Sequence, residues 1–364
     1  MTDPIATSDA LHARARAMID AHERGAAMPE AFDDLADALA RFQAAFVPGY
    51  ARLCAARGIA PGVAGAPAVP ADAFKAGRVF AFGDEAAGIT FRTSGTTIGA
   101  RGAHAMRHAR TYDAAAVAFG RRMLFGGLPA QTPIFVLGPS PAESPDSSLA
   151  HMCGLFARTF GQPSDGATFY VAGGGIDVRA LGARTAALNA SRAAVVLSTS
   201  FALVHLLDAL DGRRLPLPPG SRVMQTGGFK GRSREVSPSD LRQSVARAFA
   251  IDERAVVGEY GMTELSSQFW EATAVDDEAR PGVYLEPPWA RVVPVDGDTL
   301  TPVADGAIGI ARIEDLANVD SAWAVLTQDR VRRAGGGFEL LGRSAGAPPR
   351  GCSIALDEML SASR

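Results

Sequence analysis

"GEYGMTELSSQFW", Gly258 to Trp270, closes the β-branched run "AVVGEY" with two glycines, an aromatic ring, a hydroxyl and a carboxylate in quick succession. A strand that ends in such residues delivers them to the place where open α/β sheets bind ligands, beyond the carboxyl ends of the strands. Tyr260 can stack on a planar base. Thr263 can bond a phosphate oxygen across Gly261, and Glu264 can hold Mg2+, a hard oxygen donor for a hard cation. Taken alone, a strand-to-helix turn capped by threonine explains the stretch equally well.

Outward from this point the chain alternates. Short apolar or β-branched runs ("GITFRTS", "PIFVLGP", "ATFYVAG", "AAVVLSTS", "SRVMQTGG") are separated by helical spacing over residues 107–125, 147–160, 177–190, 200–211 and 238–250. Strands alternating with helices predict α/β units with largely parallel pairing. Toward the N-terminus, Phe32, Leu35, Leu39, Phe42 and Phe46 recur at helical spacing, which predicts two helices between Ala6 and Arg57. The stretch "GIAPGVAGAPAVPADAF" then breaks helix repeatedly with Gly and Pro. From Val283 the text turns β-rich. The expected division is an N-terminal helical segment over 1–69, an α/β core over 70–282 and a β-rich subdomain with a short tail over 283–364.

The bulk numbers exclude several classes. With 364 residues, 47% of them hydrophobic and 21% charged, the chain has material for more than one packed core. A net charge of −3 and the lack of a dense Lys/Arg run leave no electrostatic footprint for nucleic acid. No stretch approaches the ~20 apolar residues that span a bilayer, and the N-terminus carries acidic residues without an apolar block. A cytoplasmic protein without a signal peptide is expected. Cys54, Cys153 and Cys352 are the three cysteines, with no CxxC spacing, so neither a disulfide framework nor a zinc site is indicated. Cys54 and Cys153 read as small buried hydrophobes on helices. Cys352 stands apart in the turn-rich "GRSAGAPPRGCSIALDEML".

Further motifs stand in order along the chain. "TSGTTIGARG" presents Thr93, Ser94, Gly95, Thr96 and Thr97 after a strand. Backbone N–H groups and hydroxyls in such a loop can surround phosphate oxygens, with Arg101 as the cation. The GxxxxGK[ST] spacing is absent, and an ordinary polar turn is the plain alternative. "STSFALVHLL" places Ser198, Thr199 and Phe201 at the mouth of an apolar helix, where they can border an acyl chain, although core packing accounts for Phe201 as well. His151 in "SSLAHM" is a candidate for the same pocket, or a structural histidine. "TGGFKG" offers Gly227, Gly228 and Lys230.

Together these motifs resemble the adenylate-forming superfamily of acyl-CoA synthetases and luciferase-like enzymes. The Thr93–Gly102 stretch is similar to its phosphate loop and "TGGFKG" to its Gly-Gly nucleotide turn. Tyr260–Glu264 matches its "YGxTE" motif. "LTQDR", with Asp329, resembles the "TGD" motif whose aspartate bonds the ribose hydroxyls, and Gly342-Arg343 resembles the "GR" at its hinge. In detail, "SGTTIG", "QTGGFKGRSREVS" and "LLGRSAGAPPRGCSIALDEML" look like the acyl-protein synthetase branch, the long-chain-fatty-acid–protein ligases. That likeness covers roughly residues 70–360. It implies an adenylate-forming N-terminal-type fold, helix-flanked β-sheets plus a small β-rich subdomain, without the mobile C-terminal lid, since the sequence stops soon after the GR.

The resemblance also implies roles. The Thr93–Thr97 loop and Arg101 would hold the leaving phosphates of ATP, Glu264 the Mg2+, Tyr260 the adenine, and Asp329 and Arg343 the ribose side. Two departures are Ile98, where the family has glycine, and Arg101, where it has lysine. Lys230 is a candidate to replace the lysine of the lid. The acyl acceptor would be Cys352. A thiolate suits attack on a mixed anhydride, and Arg350 and Arg343 nearby in sequence would favour that thiolate. The opposing reading has Cys352 beginning a strand, buried and inert. The reaction that the resemblance implies converts a carboxylic acid, of the fatty class, and MgATP into acyl-AMP, then a thioester, then hands the acyl group to an acyl-CoA-reductase-type partner. The alternatives are a stand-alone adenylating enzyme serving an external amine or thiol, and a degenerate, non-catalytic ligase subunit.

Overall fold

The protein is described from a computed structural model, over residues 3–61, 66–93, 101–162, 168–172, 175–227, 236–343 and 349–360. Ser94, Gly95, Thr96, Thr97, Ile98, Gly228 and Lys230 lie outside the described residues. The chain divides into two compact units. The first comprises Met1–Ala118, Met262–Gln268 and Leu285–Arg364; the second comprises Phe119–Gly261 and Phe269–Tyr284.

The second unit is built on a five-stranded sheet. Strands Ile134–Leu137, Val195–Thr199, Arg222–Thr226 and Val256–Tyr260 lie side by side in chain order, all parallel, and Phe269–Trp270 pairs antiparallel with the last. Helices Ser148–Phe160, Val178–Ala186, Ser200–Leu210 and Pro238–Phe249 make the crossovers. Near-continuous Val, Ile and Leu in these strands is the signature of a sheet covered on both faces, and the strand residues are buried almost throughout. Each helix starts where a polar side chain accepts a hydrogen bond from its first turn: Ser147 from the Ala150 N–H, Asp177 from Ala180, Thr199 from Ala202 and Ser237 from Asp240. The run "ATFYVAG" forms no full strand of this sheet; it makes a parallel bridge, Val136 to Phe169, beside the edge strand.

Register aligns two rows near the carboxyl edge. Ser198, Gln225 and Gly258 form one, and Thr199, Thr226 and Glu259 the next. Because side chains alternate across a sheet, the rows face opposite sides. Gly258 is glycine by necessity: a Cβ there would lie 2.8 Å from the Glu271 carboxyl carbon and 3.0 Å from the Tyr284 hydroxyl. Glu271 is held in place by bonds from the Gly258 N–H (2.8 Å), the Gly282 N–H (2.5 Å) and the Arg242 guanidinium (2.5 Å).

The first unit carries an antiparallel sheet in which Ala290–Val295, Ile308–Asp315, Ala324–Ala334 and Gly337–Arg343 are consecutive neighbours. Val69–Pro70 pairs parallel with the start of the third of these. A separate hairpin joins Ile89–Arg92 to Ala103–Met106. The N-terminal region forms three helices, Pro4–Glu23, Phe32–Phe46 and Tyr50–Ala56, where the apolar spacing predicted two; Pro48 and Gly49 interrupt the second. These helices do not stand apart from the β-rich region as the sequence division had them. Gln43 donates to the carbonyls of Asn318 (2.8 Å) and Val319 (3.0 Å) and accepts from the Trp323 N–H (2.9 Å). Trp323 in turn donates to the Tyr50 hydroxyl at 3.0 Å. Buried backbone groups of that loop need partners, and the helices supply them.

The C-terminal stretch also differs from expectation. Arg350–Leu360 is a helix, neither a loose tail nor a strand. Its end is tied down by Arg52, which donates to the Met359 carbonyl at 2.6 Å, and by the Arg57–Glu358 ion pair at 2.6 Å. Among the described residues no helix is long and apolar enough to cross a membrane.

Candidate functional site

In the second unit, the candidate residues collect at the carboxyl ends of the parallel strands. Tyr260 ends the Val256–Tyr260 strand, largely buried, its ring 6.0 Å from Phe269 and 6.2 Å from Tyr284. Thr226 ends the neighbouring strand and leads into Gly227, whose φ of +69° turns the chain. The Thr226 and Gly227 carbonyls both accept from the Ser200 hydroxyl, at 3.3 and 2.7 Å. Ser200 therefore fixes the chain at Thr226 and Gly227, a role with no signal in the sequence beyond its place at the start of a helix. Ser198 is buried in the row shared with Leu137 and Gln225, its hydroxyl turned to the Thr199 carbonyl at 3.1 Å. Phe201 is half-buried and meets His205 edge-on at 4.4 Å. His151 lies half-buried on the helix Ser148–Phe160.

Glu259, which sequence reading passed over, is buried at this edge and accepts a short hydrogen bond from the Thr226 hydroxyl. Burial raises its pKa from 4.5 to about 7, against the opposing pull of Thr226. A carboxyl whose folded pKa is raised stabilises most below its unfolded value, and that stabilisation is lost as pH rises through the folded one. Between pH 4.5 and 7, wild type should lose up to about 3 kcal/mol of unfolding free energy from this group. Glu259→Gln should flatten that loss. Urea titrations of both proteins across this range check it, and parallel pH profiles would refute the assignment.

In the first unit, the two ends of the Thr93–Gly102 stretch are locked together. Thr93 N–H donates to the Gly102 carbonyl, and the Gly102 N–H to the Thr93 hydroxyl, both at 2.9 Å. Arg101 donates to the carbonyls of Thr93 (2.7 Å) and Arg92 (3.3 Å), so its guanidinium also closes the base of the loop. Asp329 and Arg343, far apart in sequence, are cross-strand partners, with Nε and Oδ1 3.7 Å apart. Gly342, before Arg343, has a φ of +80°, a conformation that a side chain would strain.

The turn carrying Thr263 and Glu264 is held by buried side chains. His104 Nδ1 lies 2.7 Å from the Thr263 carbonyl, and Asn318 donates to the Glu264 carbonyl at 2.8 Å. Just beyond, Asp315 accepts from the N–H groups of Ser266 (2.8 Å) and Ser267 (2.9 Å) and from the Ser267 hydroxyl (2.6 Å). Glu264 itself is buried at 5% exposure. Asp315 and Asn318 belong to "EDLANVDS", a polar run inside β-rich text that the sequence reading left unused. No group of three His, Cys, Asp or Glu side chains among the described residues can hold a metal.

Cys352 is the third residue of its helix, buried, with its sulfur 3.6 Å from the Thr327 carbonyl. The expectation that Arg343 and Arg350 favour its thiolate is corrected. Burial, and then the Asp72 carboxylate, push the thiol up to about 11. A small cavity beside it is lined by Pro70, Asp72, Leu326, Gln328 and Leu356.

No protein-family model and no curated protein sequence matches the chain. Solved structures do. ATP-bound MatB from Rhodopseudomonas palustris superposes with a TM-score of 0.50 and 16% identity, covering 72% of this chain and 49% of that one. The chain thus spans about half the length of MatB. The open form of 2-hydroxyisobutyryl-CoA ligase, in complex with 2-HIB-AMP and CoA, gives a TM-score of 0.60 at 13% identity over 84% of this chain and 72% of the ligase. Its postadenylation state gives 0.61 at 12% identity over 92% and 67%. At such identities the likeness is one of architecture: the chain has the α/β fold of the N-terminal domain of adenylate-forming enzymes.

Proposed function

We propose that this protein adenylates a carboxylic acid: a carboxylate oxygen attacks the α-phosphorus of ATP, pyrophosphate leaves, and acyl-AMP forms. The observation that carries this reading is the clamped Thr263–Glu264 turn, directly after Tyr260 in the chain, in a fold shared with a ligase whose structure holds an acyl-AMP. Little covalent chemistry falls to the protein in such a step, so catalysis is positioning and electrostatics. Tyr260 offers its ring to adenine. The Asp329–Arg343 pair presents a carboxylate to the ribose hydroxyls, with the arginine holding its orientation. Glu264 supplies the oxygen for Mg2+, which when bound neutralises phosphate charge. Gly227, Gly228, Lys230 and the Thr93–Thr97 loop are assigned to the nucleotide, and His151, Ser198 and Phe201 to the acid, by the resemblance.

In the finer reading, the acid is fatty and Cys352 is the acceptor, as in the acyl-protein synthetases, with an acyl-CoA-reductase-type protein receiving the acyl group. The geometry attaches a condition. The Cys352 thiol is buried at 5% exposure and pushed up to about 11, so self-acylation calls for a conformation in which Cys352 is uncovered. The same burial favours a second reading, in which acyl-AMP passes to an external thiol or amine. Native protein treated with a thiol-specific reagent at pH 8 should show none of its three cysteines reacting within minutes, since all are buried, and all three after denaturation.

Intact-protein mass spectrometry after incubation with MgATP and a panel of C2 to C18 and aromatic acids tests the whole proposal. A hydroxylamine-labile acyl adduct on wild type and not on Cys352→Ala supports self-acylation. Acyl-AMP without an adduct supports the external acceptor. ATP–pyrophosphate exchange with none of the acids overturns adenylation.

A further inference from the structure

Two residues that neither the motifs nor the fold comparison single out, His104 and Asn318, converge on the Thr263–Glu264 turn. His104 is fully buried on the strand Ala103–Met106, the return strand of the hairpin whose connection is the Thr93–Gly102 stretch. Its ring is edged by Phe74, with centroids 5.7 Å apart. Its Nδ1 lies 2.7 Å from the Thr263 carbonyl and its Nε2 2.8 Å from the Ser321 hydroxyl. A carbonyl can only accept, so Nδ1 carries the proton, and Nε2 accepts from Ser321. Burial pushes the pKa of the ring down to about 4, so it is neutral near pH 7 and the Nδ1–H tautomer fits both contacts.

Asn318 does the same for the next residue. Its Nδ2 donates to the carbonyls of Glu264 (2.8 Å) and Ala322 (3.0 Å), and its Oδ1 accepts from the Ser266 hydroxyl at 2.5 Å. Two successive carbonyls, on the two residues whose side chains face the proposed phosphate and Mg2+, are thus fixed by buried side-chain donors. The turn is buried at Glu264 and beyond, so these carbonyls need protein donors, and His104 and Asn318 supply them. Buried donors with defined tautomer and amide orientation also set the direction in which the two side chains leave the backbone.

We infer that His104 and Asn318 are positioning residues for adenylation, holding the Thr263 and Glu264 carbonyls so that the hydroxyl and carboxylate meet the nucleotide phosphates and Mg2+. The inference rests on the adenylation reading. His104 dictates the choice of variants: Asn places an amide N–H where Nδ1 stands, whereas Gln reaches toward Nε2 and Ser321 and offers Thr263 nothing.

The test compares wild type, His104→Asn, His104→Gln and His104→Ala in two assays on the full chain. Amide hydrogen exchange of peptides covering residues 262–268 is read on the free proteins, and kcat with KM for MgATP and for the acid is read by ATP–pyrophosphate exchange. His104→Gln and His104→Ala should speed amide exchange in that segment at least tenfold and lower kcat at least tenfold, with KM for the acid unchanged. His104→Asn should recover most of both losses. Equal defects in the Asn and Gln variants, or a Gln variant indistinguishable from wild type in amide exchange, would overturn the inference. If wild type forms no acyl-AMP with any acid, the adenylation reading fails and with it the catalytic half of this one, while the amide-exchange comparison still decides whether His104 holds the turn.

Discussion

Glu264→Gln should lower ATP–pyrophosphate exchange by on the order of 10²-fold or more while leaving the protein folded. The side chain is nearly isosteric, and the backbone around it keeps its supports, because Asn318 bonds the Glu264 carbonyl and not its carboxylate. What disappears is one negative oxygen for Mg2+. Raising Mg2+ should recover part of the rate if the carboxylate acts through the ion. An unchanged rate at limiting Mg2+ would remove Glu264 from the reaction and leave it a structural residue.

The largest stability effect should come from Asp315→Ala. Asp315 is fully buried and accepts from four groups: the N–H of Ser266, Ser267 and Ala317 and the hydroxyl of Ser267. Ser267 is itself the acceptor for the Trp289 indole N–H at 3.1 Å. Alanine would strand several buried donors at once, at a cost of about 3–5 kcal/mol. Because Ser266 and Ser267 lie two and three residues after Glu264, activity should fall with stability. Chemical denaturation at pH 7 measures the first and pyrophosphate exchange the second. A loss below about 1 kcal/mol would mean that water replaces the carboxylate, and that this network is more open than its burial indicates.

The second unit was largely legible before any coordinates. Alternation of β-branched runs with amphipathic stretches is a local property, and a buried parallel sheet demands it, so Val195–Thr199, Arg222–Thr226 and Val256–Tyr260 could be read with their helices. Tyr260, Thr226 and Gly227 then follow, since strand ends are where such sheets put their polar residues. Asp329 and Arg343 were legible only as separate motifs. Their pairing across a hairpin depends on a register that a β-bulge shifts between Asp329 and Val331, and no local pattern encodes it.

Other features were settled by long-range contact alone. Glu259 reads as an unremarkable acid until the sheet buries it beside Thr226. His104 looks like one polar residue in "RGAHAM" until it meets a carbonyl 159 residues further along the chain. Cys352 shows the reverse: its sequence neighbours Arg343 and Arg350 suggested an ionised thiol, whereas burial, and then the Asp72 carboxylate, suppress ionisation. The amino-acid order by itself determined the α/β architecture and the positions of the strand-end motifs, because periodicity and strand-end chemistry are local. Only the tertiary structure decided which groups are charged, which carbonyls are held and which thiol is shielded, because burial and hydrogen bonding join residues that the chain keeps far apart.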